Sequence, residues 1–274
     1  MLAELLTRPR YEVFPVEGIA DEVVAHVPTE IKVAVTSSPT RGIEATLRLC
    51  EDLASVRFDV ALHLAARFVR DEEHLREILE RLGAIGVRDV FAIAGDVDLP
   101  AGKFDGATAL LAAMAELGHS LDDVGISGYP ESHPFISDET TIQVMFDKEP
   151  FATYIVSQLC LDARVIAWWI GAVRERGVRL PIHIGIPGPV SSRKLLRIAT
   201  RIGVGESTRF VRGHGGLFTR LFLRGRYGPG SLIERLTPQL GDPRNKIAGL
   251  HVYTFNELAT TERWRREALR RLES

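Results

Sequence analysis

Several features that mark particular classes of protein are scarce or missing in this sequence of 274 residues. Cysteine occurs only as Cys50 and Cys160, both beside leucines, so we expect buried reduced thiols rather than a disulfide or a metal pair. The formal net charge is −2, which gives no basic surface for nucleic acid. No apolar run near the amino terminus is long enough for a signal peptide or a membrane span. We therefore expect a cytoplasmic protein that binds neither nucleic acid nor membrane.

Two nucleotide-binding signatures are missing as well. No Gly-x-Gly-x-x-Gly motif follows the first predicted strand, which removes the fingerprint of a Rossmann dinucleotide site. Glycine clusters occur at Gly213–Gly216 and Gly225–Gly230, but neither carries the lysine of a phosphate-binding P-loop. A phosphate cradle stays open as an interpretation of these clusters, and hinges in mobile loops are the simpler one.

What the sequence does contain is a regular alternation of short apolar runs with helix-like segments. Eight runs are predicted to be strands: Arg10 to Pro15, Ile31 to Thr36, Phe58 to Leu64, Asp89 to Ala94, Val124 to Ser127, Tyr154 to Cys160, Pro181 to Ile186 and Gly249 to Thr254. Amphipathic segments lie between them, and Thr40, Asp71 and Ser191 are the predicted N-caps of three helices.

Alternating strands and helices predict a parallel sheet covered by helices. Eight repeats in this length are typical of a single closed (β/α)8 TIM barrel, here with an irregular insertion at residues 203–246, before strand eight. A doubly wound open sheet is the competing fold. We favour the barrel because polar residues follow almost every strand, whereas an open sheet concentrates them at one switch point. The expected organisation is one domain over residues 1–274.

The richest strand ending is Gly128-Tyr129-Pro130-Glu131-Ser132-His133-Pro134, where an apolar run stops in a dense set of polar side chains. Its two prolines do not suit a continuing strand. In a barrel enzyme the chemistry lies at the carboxyl ends of the strands, so such an ending indicates a site. A polar turn that starts a helix gives the same pattern, and only the repetition of such endings favours the site.

Taken in order, these endings resemble those of methylenetetrahydrofolate reductases. The motifs are Tyr11-Glu12-Val13-Phe14-Pro15, His63-Leu64, Gly95-Asp96, the Tyr129 to Pro134 cluster, Ser157-Gln158, Ile186-Pro187-Gly188-Pro189-Val190 and His251-Val252-Tyr253-Thr254-Phe255-Asn256. Each motif alone is weak, and the ordered set at matching spacing is specific. The resemblance implies a (β/α)8 barrel that reduces 5,10-methylenetetrahydrofolate to 5-methyltetrahydrofolate.

The resemblance also implies roles for individual residues. Glu12 matches a glutamate general acid that opens the folate ring, and Asp96 matches an aspartate that stabilises the iminium cation. Two carboxylates in one dry pocket are expected to push their pKa values apart. Gln158, Tyr129 and Phe222 are the expected substrate-binding residues, Thr36, His63, Tyr129 and His133 match the flavin pocket, and no metal ligand is expected. Without the resemblance, a salt bridge for Glu12 and a satisfied core amide for Gln158 are the simpler interpretations.

The sequence departs from the family pattern where flavin phosphates would bind. Ala94 stands where arginine usually precedes the Gly-Asp pair, and the helix after strand five offers Phe146 and Asp147 instead of basic residues. A diphosphate needs cations or helix N–H groups, so the FAD that the family implies is not expected to bind tightly. NADH or NADPH is then expected in the emptied pocket, with hydride passing directly to the folate.

A second departure follows strand eight, where Glu257 replaces a common arginine. A basic loop can take over the glutamate tail of folate or a nicotinamide cofactor phosphate, and a solvated basic surface fits it equally well. The arginines of this loop are Arg209, Arg212, Arg220, Arg224 and Arg226.

Two other functions stay open at this stage. One is a non-catalytic barrel that binds folate or a nucleotide, and the other is a methyltransferase-type barrel that uses a folate methyl group. Joint presence of Glu12, Asp96 and Gln158 favours the reductase, because a binding protein needs no buried proton donor. No motif discriminates NADH from NADPH or sets the oligomeric state.

Overall fold

The protein was analysed as a computed structural model, which describes residues 2–131, 138–201 and 226–273. Its strands in chain order are β1 Arg10–Val13, β2 Lys32–Val35, β3 Val60–Ala65, β4 Asp89–Ile93, β5 Asp123–Gly128, β6 Tyr154–Ser157, β7 Ile182–Pro187, β8 Val190–Ser191, β9 Arg226–Tyr227 and β10 Ile247–Tyr253. Eight of them close into a parallel barrel in the order β1-β10-β7-β6-β5-β4-β3-β2, and β8 and β9 form a separate antiparallel pair. The predicted (β/α)8 barrel is therefore confirmed over the open sheet.

Helices follow the strands and pack against the outside of the barrel. They are α1 Leu2–Thr7, α2 Ile19–His26, α3 Gly42–Ser55, α4 Glu72–Ala84, α5 Ala107–Leu117, α6 Asp138–Lys148, α7 Ala163–Glu175, α8 Ser192–Arg201, α9 Gly230–Gly241 and α10 Leu258–Glu273. In α4 the apolar stripe is buried, with Leu75 and Leu82 fully enclosed, as helical periodicity requires. None of these helices is both long enough and apolar enough to cross a membrane.

Two of the three predicted helix caps are confirmed. The side chain of Asp71 accepts the N–H of His74 at 2.8 Å, and Ser191 accepts the N–H of Lys194 at 3.3 Å. The prediction for Thr40 is wrong, because α3 begins at Gly42 after Arg41 and has no side-chain cap. A local turn, in which the N–H of Gly42 donates to the carbonyl of Ser38 at 2.9 Å, starts this helix instead.

The insertion before β10 is more regular than the sequence predicts, within the part described. Residues Arg226 and Tyr227 pair with Ser191 and Val190, and Gly230 opens a 12-residue helix. The Gly225–Gly230 cluster is thus a strand followed by a helix start over its described residues. The cluster at Gly213–Gly216 lies outside the described residues.

Both cysteines are buried and free, as expected. Cys50 lies in the main core between the barrel and its helices. Burial raises the pKa of the Cys160 thiol well above its usual range, which keeps it unreactive.

Side chains close the seam between the first and last barrel strands. The Thr254 hydroxyl donates to the carbonyl of Glu12. The Asn256 side chain accepts the N–H of Phe14 at 2.9 Å and donates to its carbonyl at 3.2 Å, as a neighbouring strand would. Phe255 and Asn256 adopt left-handed backbone angles, with φ of 53° and 62°. Such non-glycine angles are uncommon and occur where surrounding contacts enforce them.

Candidate functional site

Two polar layers lie inside the barrel, one above the other along its axis. The lower one, which we call the charged layer, consists of Arg10, Lys32, Asp89 and Tyr154. Asp89 is bonded to Arg10 at 3.0 Å, to Lys32 at 2.7 Å and to the Tyr154 hydroxyl at 2.7 Å. The Arg10 guanidinium also lies 4.1 Å from the centre of the Tyr154 ring. Paired and hydrogen-bonded charges of this kind hold a buried interior together without a free reactive group.

The upper layer, which we call the acid layer, contains Glu12, His63 and His251. Inward-facing strand positions place them there, since β1, β3 and β10 alternate side chains between barrel interior and helices. The Oε2 atom of Glu12 is 3.2 Å from Nε2 of His251 and 3.9 Å from Nδ1 of His63. That Nδ1 atom is also 3.2 Å from the Thr36 hydroxyl. All three side chains of the layer are buried.

Burial sets the protonation of the acid layer. Desolvation raises the pKa of Glu12 to about 7, although the charge of His63 opposes the shift. Desolvation lowers the pKa of His63 to about 4 and that of His251 to about 3. Near neutral pH the two imidazoles are therefore uncharged and the carboxyl is partly protonated. A carboxyl in this state can act as a proton donor, which the structure permits on physical grounds alone.

Asp96 lies at the mouth of the barrel, after β4, in an exposed position. Gly95 makes this corner with φ of 95°, and a Cβ atom there would lie 3.1 Å from that of Ala65. Arg67 secures the following loop, because its guanidinium donates to the carbonyls of Val97 at 2.8 Å and Asp105 at 3.0 Å. The loop is thus held so that the Asp96 carboxylate stands at the carboxyl end of the strands.

The sequence predicts that a shared dry pocket pushes the pKa values of Glu12 and Asp96 apart. The structure shows that this cause is wrong, because the two groups do not share a dry pocket. Asp96 is exposed and Glu12 is buried, and Asp96 is not among the groups that shift the pKa of Glu12. Unequal solvation alone makes the two groups different.

Tyr129 and Gln158 lie at adjacent strand ends. Burial raises the pKa of Tyr129, and the charge of Asp96 adds to the rise. The backbone N–H of Gln158 donates to the carbonyl of Gly128 at 2.7 Å. Its side-chain Oε1 accepts the N–H of Leu159 at 2.8 Å, so the carboxamide is turned with its oxygen towards the backbone. Its Nε2 donors have no acceptor among the described residues and can serve another group.

The structure thus places His63 3.2 Å from Thr36 and 3.9 Å from Glu12, and it sets Asp96 and Tyr129 after the neighbouring strands β4 and β5. His133 and Phe222, and the arginines at 209, 212, 220 and 224, lie outside the described residues, as does the side chain of Arg226. His251 is a site residue that received no role from sequence reasoning. Its signal was the spacing Gly249, His251, Tyr253, which puts it on the inner face of the last strand.

The described part of the flavin region does not fit a flavin diphosphate. Over Thr140 to Asp147, α6 carries no cation, and its Asp147 is bonded to Gln143 at 2.9 Å. Lys148 follows at the last turn and is half-buried, and desolvation lowers its pKa. Ala94 is exposed at the corner where the family pattern has an arginine. Among the described residues from Thr140 to Asp147 and at Ala94, a phosphate group would therefore meet no side-chain cation.

Glu257, the second departure, has a partner on α8. Lys194 donates to the Glu257 carboxylate at 2.8 Å and to the carbonyl of Phe255 at 2.9 Å. A cation therefore lies near the position of the family arginine, but a carboxylate within the chain neutralises it.

The acid layer also has the residue types of a metal site, since ligand atoms of Glu12, His63 and His251 lie within 4.8 Å of one another. Metal-binding histidines normally donate their second N–H to an outer acceptor. The second nitrogens here, Nε2 of His63 and Nδ1 of His251, are buried and have no partner among the described residues. The layer fits a proton-holding site better than a metal centre.

Several solved structures are similar to this chain at low sequence identity. A dihydropteroate synthase from Thermus thermophilus is 13% identical, with 98% of this chain and 94% of that chain covered and a TM-score of 0.46. A Yersinia pestis enzyme of the same name, solved with a pterine-sulfa conjugate, is 12% identical, with 98% and 96% covered and a TM-score of 0.47. A monomeric dihydrodipicolinate synthase variant is 12% identical with a TM-score of 0.43, and the match covers 66% of this chain and 63% of that one.

Comparison with protein families is decisive. The family model described as methylenetetrahydrofolate reductase matches residues 20–208, which include Asp96, Tyr129 and Gln158. The match covers well over half of the chain and takes in strands β2 to β8 of the structure described above. The chain belongs to the methylenetetrahydrofolate reductase family.

Proposed function

We propose that this protein reduces 5,10-methylenetetrahydrofolate to 5-methyltetrahydrofolate with NADH or NADPH, and that hydride passes directly from the nicotinamide to the folate. Family membership supports a folate-related oxidoreductase. The identity of the electron donor and the direct transfer are inferences from this chain's own residues.

The observation that carries the proposal is the buried, partly protonated Glu12. Opening the five-membered ring of the substrate leaves a nitrogen that needs a proton, and a carboxyl with a pKa near 7 can supply it at neutral pH. A protein that merely bound folate would gain nothing from a buried carboxyl whose only close partners among the described residues are neutral imidazoles, because burying it costs free energy.

The other site residues complete the arrangement. Exposed Asp96 supplies negative charge at the mouth of the barrel, where the iminium cation forms. Gln158 presents its amide donors to the pterin edge, since its oxygen is held by the backbone. Tyr129 follows β5, the strand next to the one that leads to Asp96, and borders the same opening. Together these groups orient the ring so that the reacting carbon meets the donor at near-attack distance, roughly 3–3.5 Å.

The electron donor is the part of the proposal that departs from the family's usual FAD. The described flavin region lacks phosphate partners, whereas the mouth of the barrel keeps Thr36 and Tyr129. A nicotinamide in this place would supply the hydride when bound. Thr36 and His63 would then serve as the wall of its site rather than as flavin ligands.

The first test follows oxidation of NADH and of NADPH by purified protein with 5,10-methylenetetrahydrofolate, together with an absorbance spectrum. We expect turnover by colourless protein with sequential kinetics, and deuterium from labelled nicotinamide in the methyl product. Yellow protein that needs stoichiometric flavin would overturn direct transfer and keep the reductase.

Absence of turnover with either nicotinamide would overturn the reductase itself. Folate binding without turnover would then support the non-catalytic barrel. Transfer of a methyl group from 5-methyltetrahydrofolate to an acceptor would support the methyltransferase-type barrel.

A further inference from the structure

Every hydrogen bond and ion pair that the Glu12 carboxyl makes with the described residues involves one of its two oxygens. Oε2 is 3.2 Å from Nε2 of His251 and 3.9 Å from Nδ1 of His63. Neither distance involves Oε1. The two oxygens of the carboxyl are therefore chemically different, although its pKa alone does not say which one carries the proton.

The tautomer of His251 follows from its burial. Its Nδ1 atom is buried and has no partner among the described residues. With the proton on Nε2, the ring donates to Oε2 and leaves only a lone pair unpaired at Nδ1. With the proton on Nδ1, the ring would bury an unpaired N–H and set a lone pair against the carboxyl oxygen. Unpaired buried N–H groups are the costlier case, so the proton belongs on Nε2.

The groups that face Glu12 are neutral on most sides. β3 contributes His63 and β10 contributes His251, and burial keeps both rings uncharged near neutral pH. Tyr253 on β10 is also near, and its pKa is raised mainly by burial and then by the Glu12 charge. On β1 itself, Arg10 forms an ion pair with Asp89 and lies over the ring of Tyr154. From the end of β2, Thr36 contributes a neutral hydroxyl through His63.

A neutral donor has an effect here that a cation would not. An arginine or lysine against Oε2 would hold the carboxyl in place but would favour its ionised form. A neutral N–H holds the same oxygen and leaves the group able to keep a proton. Since Oε2 is occupied by a donor, the proton of the neutral carboxyl belongs on the other oxygen.

We propose that His251 is a positioning residue that holds Oε2 of Glu12 and thereby fixes the transferable proton on Oε1. This inference rests on the proposed function, in which Glu12 is the general acid. In this proposal a residue of the last barrel strand, His251 on β10, orients the acid on the first strand, Glu12 on β1.

The test uses two substitutions that separate the ring nitrogens. The amide nitrogen of His251→Gln stands close to the place of Nε2, whereas that of His251→Asn stands close to the place of Nδ1. We expect His251→Asn to lower kcat about 10–100-fold with the KM for folate changed less than about threefold, which marks a loss confined to the transition state. His251→Gln should restore most of kcat.

The pH profile gives a readout that a merely structural role would not move. In His251→Asn the falling limb of kcat should shift to higher pH, because the ionised carboxylate loses a donor. The matched control is His183→Asn. His183 lies on β7, has a pKa lowered by burial and an unpartnered Nδ1, and has no bond to Glu12 within the described residues. In His183→Asn the falling limb of the kcat–pH profile should lie at the same pH as in wild type.

Equal kcat in the Gln and Asn variants, or an unmoved limb in His251→Asn, would overturn the proposal. A second measurement serves if these variants do not fold: nitrogen-15 NMR of histidine-labelled wild-type protein should show His251 as the Nε2–H tautomer. An Nδ1–H tautomer would overturn the proposal without any variant. Failure of the proposed function is distinguishable, because it appears as wild-type protein that does not turn over, whatever the tautomer.

Discussion

The charged layer and the acid layer occupy the same barrel and share strand β1, yet they treat buried polar groups in opposite ways. Arg10 and Glu12 stand two residues apart on one face of that strand. Arg10 is paired with the Asp89 carboxylate and lies over the Tyr154 ring, so its charge has partners. Glu12 meets two imidazoles that burial keeps neutral, so its charge is not paired with an opposite charge among the described residues. The lower layer therefore pairs its charges with one another, whereas the upper one contains a carboxyl that can exchange a proton.

The most severe test of this contrast removes the proton of the acid layer. Glu12→Gln keeps the size and a polar group but cannot donate an acidic proton, so we expect kcat to fall roughly 10²–10⁴-fold with folate binding nearly intact. Steady-state kinetics and folate titration check this. Glu44→Gln, on the surface of α3, is the matched control and should keep wild-type turnover. Near-normal turnover of Glu12→Gln would exclude the general-acid role.

The next test removes the anion of the charged layer. Asp89→Asn leaves Arg10 and Lys32 without their buried partner, which should destabilise the fold by about 3–5 kcal/mol. Urea unfolding measures the loss. Asp59→Asn is the control, because Asp59 lies 3.4 Å from the same Lys32 but is largely exposed, so its loss should cost less than about 1 kcal/mol. Equal losses in the two variants would show that the lower layer is no tighter than a surface pair.

The third test varies the pH. The proton of Glu12 is needed for donation, so kcat should fall as the pH rises through about 7. Stability should respond in the same window. The folded pKa of Glu12 lies above its ordinary value of 4.5, so its contribution is full below 4.5 and is lost as the pH rises to about 7, at about 1.4 kcal/mol per pKa unit.

The two histidines change stability with pH in the opposite direction and are present in both wild type and Glu12→Gln. Subtracting the unfolding free energy of Glu12→Gln from that of wild type therefore removes their contribution and isolates that of Glu12. The folded pKa values of the histidines lie below 6.5, so their contribution is present above 6.5 and lost as the pH falls towards 4 and then 3. A difference that stayed constant between pH 5 and 7 would contradict the raised pKa of Glu12.

The mildest change that we expect concerns the loop that carries Asp96. Gly95→Ala forces an L-residue into a φ of 95° and against Ala65, at a cost of about 1–2 kcal/mol, so the loop should shift and the KM for folate should rise. Gly106→Ala is the control, since it has extended backbone and no atom within 4 Å of an added Cβ. An unchanged KM in Gly95→Ala would show that Asp96 needs no fixed corner.

Local patterns predicted most of the barrel. Each strand and most helices have an apolar pattern or a capping residue that can be recognised within about ten residues of sequence. Asp71 and Ser191 were predicted as helix caps in this way. Thr40 failed because a backbone turn from Ser38 to Gly42 starts that helix, and side-chain type does not reveal such a turn. The insertion was predicted only as irregular, so the sequence did not place the β8–β9 pair or the bounds of α9.

The site could be predicted only in part, because its decisive contacts join distant residues. Glu12 and His251 are 239 positions apart, and no spacing rule links them until the barrel closes. Exposure was also out of reach: sequence reasoning put Glu12 and Asp96 in one dry pocket, whereas the fold buries the first and leaves the second in solvent. Residue type indicated the chemistry, and the fold set its protonation.

The bonds of Asn256 and Thr254 to the first strand and the residue after it bear on the order in which the enzyme is assembled. They join positions about 242 apart, so they form after every other strand has been synthesised. The last helix reinforces the same late step, since Tyr11 donates to Glu262 at 3.0 Å and Arg265 donates to the carbonyl of Leu6 at 3.1 Å. Closing so long a loop is slow. A nascent chain on the ribosome therefore carries Glu12 from the start but cannot place His251 against it until its last strand emerges and docks.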